Sequence, residues 1–152
     1  MNSSAPAKRA EHFFENGHNC SQSVLMAFAP RFGLDEEPAC RLASGFGVGL
    51  STGETCGAVS GAVMVLGLAF GGGGPGGIEA KRRTYRLTRE FMTRFQACHG
   101  TVRCRDLLGC DPSTPEGGAR AGEKFLFDTI CAPLVTDVVA ILEKMISEQA
   151  GC

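Results

Sequence analysis

No apolar h-region opens this chain: the first residues read MNSSAPAKRAEHFFENGHN, and the expectation is a cytoplasmic protein rather than a secreted one. No sign of charge dominates, since 15 Lys and Arg face 16 Asp and Glu for a formal net charge of −1. That balance argues against nucleic acid or an anionic membrane as the main partner. No apolar run is long enough to cross a bilayer. The longest, Ala58 to Phe70, is interrupted by Ser60, Gly61 and Gly67 and reads as a buried core helix. Alternating strands and internal repeats are also missing, which leaves helical spacing as the one periodic signal.

A chain of 152 residues with 43% hydrophobic content fits one compact domain, 1–152, with a real core. The spacing predicts an all-α bundle of about six or seven helices. A first helix runs from Ala7 to Asn16 with Phe13 and Phe14 inward, and a second from about Cys20 to Phe32, stopped by Gly33. Asp35 caps a short third. The Gly-rich stretch GFGVGLSTGE (45–54) leads into a helix begun by Cys56, and GGGGPGG (71–77) ends that helix. A long helix follows with Ile78, Tyr85, Thr88, Phe91, Met92 and Phe95 on one face, then a short one at Cys104 to Leu108. DPSTPEGGARAGE (111–123) reads as a polar loop without core residues, either a plain solvent-exposed connector or a gate over the site. Pro133 to Ile146 closes the chain as an amphipathic helix with Leu134, Val138, Ile141, Leu142 and Met145 inside.

Cysteine is the residue in excess: there are eight. Without a secretory segment they point to metal binding or redox chemistry rather than to a disulfide framework. A single free cysteine is usually a small buried hydrophobe, but four fall at predicted helix starts: Cys20, Cys56, Cys104 and Cys131. The unpaired amides and partial positive charge of a helix N-terminus favour a thiolate. Gly57, Ala58, Ser60 and Gly61 make the backbone after Cys56 thin enough for other helices to crowd against it.

NCSQSVLMAF, CGAVSGAVMVLGL, CRDLLG and a cysteine before the last amphipathic helix together resemble the redox-active family named C_GCAxxG_C_C. Its CGAxxG motif falls on Cys56 to Gly61, and its other cysteines on Cys20, Cys104 and Cys131. Cys98 and Cys110 bracket Cys104 and stand as alternates for the third position; Cys40 and Cys152 lie outside the pattern. The resemblance implies redox activity without a defined reaction. It extends to a domain of split-Soret cytochromes, where it suggests an iron–sulfur site beside haem. This chain has no CxxCH, so covalent haem is not expected.

Three readings of the thiols follow. Four thiolates at Cys20, Cys56, Cys104 and Cys131 suit an iron–sulfur cluster or structural zinc; the resemblance favours [2Fe–2S], although ferredoxin runs and zinc-finger CxxC pairs are absent. A metal-free dithiol oxidoreductase would use a low-pKa Cys56, with Cys20 as its partner. Purely structural packing is the third. The expected partner is an unidentified electron-transfer or thiol protein, and a homodimer is compatible with the sequence. His18 and His99, close to Cys20 and Cys98, are of a type to ligate a metal or orient a thiol, yet surface histidines near helix ends are commonplace. KRRTYRLTRE (81–90) reads as a solvated helix face, and the glycine runs as connectors rather than phosphate loops.

Overall fold

A computed structural model of the chain describes residues 4–75 and 77–151. Among them are eight α-helices: α1 (Ala5–Glu15), α2 (Cys20–Phe28), α3 (Glu36–Ala43), α4 (Gly57–Phe70), α5 (Ile78–His99), α6 (Cys104–Leu108), α7 (Pro115–Glu123) and α8 (Ala132–Ala150). No strand occurs among the described residues; one isolated antiparallel bridge joins Thr55 to Arg103. The all-α expectation holds, with one helix more than predicted.

The extra helix is α7, in the segment expected to be a polar loop. Thr114 caps it by accepting from the Gly117 amide at 3.0 Å, Pro115 occupies its first turn, and Ala121 is fully buried. Local capping and one buried methyl outweigh the weak propensity of its glycines. The second helix is shorter than expected for the reverse reason. Pro30 has no amide to give to the i−4 carbonyl, so the α-helix yields to a 3₁₀ turn at Ala29–Phe32. Gly33, at φ +78°, then turns the chain.

The core gathers where α2, α4, α5 and α8 meet. Phe28, Phe91, Phe95, Leu25, Leu66 and Leu142 are its largest fully buried side chains. Ile78 and Tyr85, expected inward, are exposed. The first half of α5 is solvated on that side, and the Lys81 ammonium lies over the Tyr85 ring. On α1, Ala7 and Ala10 carry the burial, with Phe13 and Phe14 half-buried beside the core. Of the residues expected inside α8, Ile141 is half-buried and the others are buried.

α4 is apolar on every side, as suits a central helix. Gly61 lets it close on α2, since a Cβ there would lie 2.9 Å from the Ser21 carbonyl oxygen and 3.0 Å from Val24 Cβ. Among the described residues, no single helix is long and apolar enough to cross a membrane.

Candidate functional site

Each predicted cysteine is delivered by its own local device. Cys20 opens α2 behind a capping box: Asn19 accepts from the Gln22 amide at 2.9 Å, and Gln22 accepts from the Asn19 amide at 3.0 Å. The two otherwise orphaned amides are thereby satisfied and the first turn is fixed. Cys56 is the N-cap residue of α4. Its backbone amide donates to the Val102 carbonyl at 2.8 Å, while the Cys104 amide donates to the Glu54 carbonyl at 2.6 Å. These bonds flank the Thr55–Arg103 bridge and set the starts of α4 and α6 side by side.

Cys131 differs. It ends a π-helical turn, Phe127–Cys131, and has right-handed helical dihedrals. It is the N-cap of α8, the position the sequence indicates, but the turn running into it leaves no open N-terminus there. The α6 helix that begins at Cys104 has only five residues, so its dipole is small.

All four cysteines line one cavity of about 330 Å³. Leu107, Leu108 and Leu134 form part of its wall, and its rim includes Phe14, His18, Val48 and Asp128. Gly57 brings Cys20 against the start of α4: a Cβ there would lie 3.3 Å from Cys20 Cβ. Val48 reaches the rim from an unusual backbone. Val48, Gly49, Leu50 and Ser51 all have positive φ, between 54° and 60°, so the connector before α4 winds left-handed for a full turn.

Burial, not the helix ends, sets most of the thiol chemistry. The Cys20 thiol donates to Cys131, and this bond together with burial pushes Cys20 well above the ordinary thiol range. The same bond stabilises the Cys131 thiolate and lowers its pKa, against burial and the nearby Asp128 carboxylate. Cys56 is raised by burial, although the Ala58 and Val59 amides of the first turn of α4 pull it back. Burial, then the charges of Cys56 and Cys131, pushes Cys104 up to about 12. The expectation of a low-pKa Cys56 is therefore overturned: its helix-end amides are engaged, and desolvation exceeds them. Of the four, Cys131 is the one whose pKa is lowered, through its bond from Cys20.

The remaining candidates separate by position. Cys98 is exposed and lines a different groove with His99 and Asp137. There His99 Nε2 lies 3.4 Å from an Asp137 carboxylate oxygen. Cys110 is half-buried and packs beside Cys104 and Cys131 without lining the cavity; its thiol donates to the Gly117 carbonyl at 3.7 Å. Cys40 sits under Gln22, whose amide donates to its sulfur at 3.3 Å. Cys152 lies outside the described residues. His18 is at the cavity, with Nδ1 3.1 Å from the Phe13 carbonyl. The segment 111–123 does not line the cavity; it holds a capped helix and touches the thiol region through the bond from Cys110 to Gly117.

Sequence reading missed the rim residues Val48 and Asp128 and the ion network at the bridge. In that network Glu54 takes both nitrogens of the Arg103 fork, at 3.0 and 2.9 Å. The signal was present, since Glu54 lies two residues before Cys56 and Arg103 immediately before Cys104.

Among the described residues, no three His, Cys, Asp or Glu side chains meet as a ready site for a single metal ion. The four thiols line one cavity, and thiolates are donors of the kind that hold either an iron–sulfur cluster or zinc.

Compared with known proteins, residues 18–145 match the model of a family described as "Putative redox-active protein (C_GCAxxG_C_C)". No curated protein and no solved structure matches the chain.

Proposed function

The chain belongs to the C_GCAxxG_C_C family of redox-active proteins, and from that premise we propose that Cys20, Cys56, Cys104 and Cys131 form its redox centre, holding an iron–sulfur cluster for electron transfer. The observation that carries this reading is that these four cysteines, from four separate elements, line the same cavity. A [2Fe–2S] cluster is the preferred form. Such a cluster supplies a one-electron couple when bound.

The residues of the chain supply the rest. The first-turn amides of Ala58 and Val59 favour the Cys56 thiolate against burial. Leu107, Leu108 and Leu134 limit water at the ligands, a burial that tunes potential. Raised thiol pKa values mean that ligation must displace protons, so loading becomes easier as pH rises. The proposed setting is cytoplasmic, and the partner an electron-transfer protein that meets the rim near Val48 and Asp128.

Anaerobic purification with absorption spectroscopy and iron, sulfide and zinc analysis tests this directly. Iron and sulfide in equal amounts, lost in Cys56→Ser and kept in Cys98→Ser, is the expected result. Zinc alone would replace the cluster with a structural site.

The Cys20–Cys131 contact favours a second reading, a metal-free dithiol. Here the Cys131 thiolate attacks a partner disulfide, forming a mixed disulfide and expelling one partner thiolate. Cys20, giving up its proton to solvent, then attacks the Cys131 sulfur and expels the second partner thiolate, leaving a Cys20–Cys131 disulfide. Protein that is colourless and free of metal, yet reduces a disulfide substrate and loses that activity in Cys131→Ser, selects this reading.

A further inference from the structure

The start of α6 is joined to the segment before α4, backbone to backbone, by the Thr55–Arg103 bridge and its two flanking bonds. A helix of five residues is far below the length at which helices stand alone, and an isolated bridge is not a sheet. Cys104 nevertheless sits at this start. Two side-chain bonds to Arg103 and one to Arg105 converge from the opposite segment on a single carboxylate. Glu54 takes the Arg103 fork in bidentate fashion and also accepts from Arg105 Nη2 at 3.0 Å. Arg105 in turn donates to the carbonyls of Thr52 at 2.6 Å and Gly53 at 3.3 Å, and pairs with Asp111 at 3.4 Å.

The two arginines flank Cys104 in sequence, and Glu54 precedes Cys56 by two residues. The clamp therefore spans the two thiol-bearing segments. Its space is reserved by Gly53, where a Cβ would lie 2.6 Å from an Asp111 carboxylate oxygen and 3.1 Å from Arg105 Nε. Two carboxylates and two guanidiniums leave the group without net charge beside the thiols.

We infer that Glu54 is a positioning residue of the thiol centre: by gripping Arg103 and Arg105 together it fixes Cys104 against Cys56. The inference rests on the reading that these cysteines share one centre, but its effect is on geometry and needs no metal to be seen. A planar guanidinium fork on a carboxylate fixes direction as well as distance, which one bridge of backbone bonds does not.

The test is pulsed N-ethylmaleimide labelling of the reduced, metal-free full chain, with each cysteine quantified by mass spectrometry. In Glu54→Ala, which removes three charge-assisted bonds to a half-exposed carboxylate, Cys104 should label about tenfold faster. Cys98 should be unchanged, and Glu54→Asp should fall between the two. Arg103→Lys, which keeps the charge and loses the fork, should repeat the effect and serves if Glu54→Ala does not fold. An unchanged Cys104 rate in a variant of native circular dichroism overturns the inference, as does an equal rise at Cys20, Cys104 and Cys131, which means general loosening. Selective release of Cys104 in protein that never binds iron would support the inference while removing the cluster reading.

Discussion

Gly49 stands so close to Cys104 that a Cβ on the glycine would lie 2.7 Å from Cys104 Cβ. The same Cβ would meet the Glu54 backbone, at 2.6 Å from its nitrogen and 2.7 Å from its oxygen. Gly49 also has φ +60°. Its substitution meets two costs at once: a backbone conformation that L-residues resist and a contact that rigid main chain cannot relieve.

Gly49→Ala should therefore lower stability by about 2 to 4 kcal/mol, combining overpacking with left-handed strain. Urea unfolding measures this. Because the clash pushes on Cys104, iron content should fall further than the loss of folded protein explains. A stability change below about 1 kcal/mol would mean that the left-handed turn is not the folded conformation.

Gly57 and Gly61 separate packing from placement. At Gly61 an added methyl faces Ser21 backbone and Val24, while at Gly57 it faces the Phe46 carbonyl at 3.0 Å and Cys20 Cβ at 3.3 Å. Alanine gains about 1 kcal/mol of helix propensity at either position, and overpacking costs about 1 to 3 kcal/mol. Gly61→Ala should be net destabilising by up to about 2 kcal/mol with cofactor content per folded protein unchanged. Gly57→Ala should change stability less, yet displace Cys20 and reduce cofactor content. Equal effects of the two variants on both measurements would contradict this division.

The helical class and the four cysteines that share a cavity were legible because each rests on a local pattern. Apolar spacing marks α2, α4 and α8, and Asn19 with Gln22 writes a capping box directly before Cys20. What was not legible depends on contacts between distant segments. The pKa order of the thiols was misread because helix-end amides are visible in sequence, whereas the burial that exceeds them at Cys56 is not. The helix at Pro115–Glu123 was hidden behind its glycines, since the buried position of Ala121 comes from packing. Val48 looked like part of a flexible connector; its left-handed turn is followed by a bond from the distant Arg105 to the Thr52 carbonyl, and by a local one from the Thr52 hydroxyl to the Gly49 carbonyl at 3.1 Å.

Alkaline pH should weaken the metal-free fold. Burial raises Cys104 from the ordinary 9.0 to about 12, and Cys20 and Cys56 move in the same direction. Below the ordinary value both folded and unfolded thiols are protonated, and stability is complete. As pH rises towards 12, the unfolded thiol ionises first, the unfolded chain binds fewer protons, and stability falls. Cys131, lowered by its bond from Cys20, acts in the opposite sense, but it is one thiol against three. Urea unfolding of reduced protein between about pH 8 and about pH 11 should show a declining free energy, with a shallower slope in Cys104→Ser. Identical slopes in the two proteins would show that the Cys104 thiol is not desolvated in the fold.

Val48 should divide stability from protection. Its φ of 54° and ψ of 38° place a β-branched residue in the left-handed region, at a cost of about 1 to 2 kcal/mol. Glycine there removes that strain but adds about 0.5 to 1 kcal/mol of unfolded-chain entropy, and gives up the burial of a side chain that is 38% exposed. These contributions nearly cancel, so Val48→Gly should leave the unfolding free energy within about 1 kcal/mol of the parent. Its isopropyl group, however, forms part of the rim of the thiol cavity. Removing it should raise the maleimide labelling rate of the cavity cysteines, and speed oxygen-driven bleaching of any bound cluster, while the rate at exposed Cys98 stays constant. Thermal unfolding and residue-resolved labelling on the same samples measure both sides. Unchanged labelling at unchanged stability would place the route to the thiols elsewhere on the rim, beside Asp128 and Phe127, where Phe127→Ala should then have the effect expected of Val48→Gly.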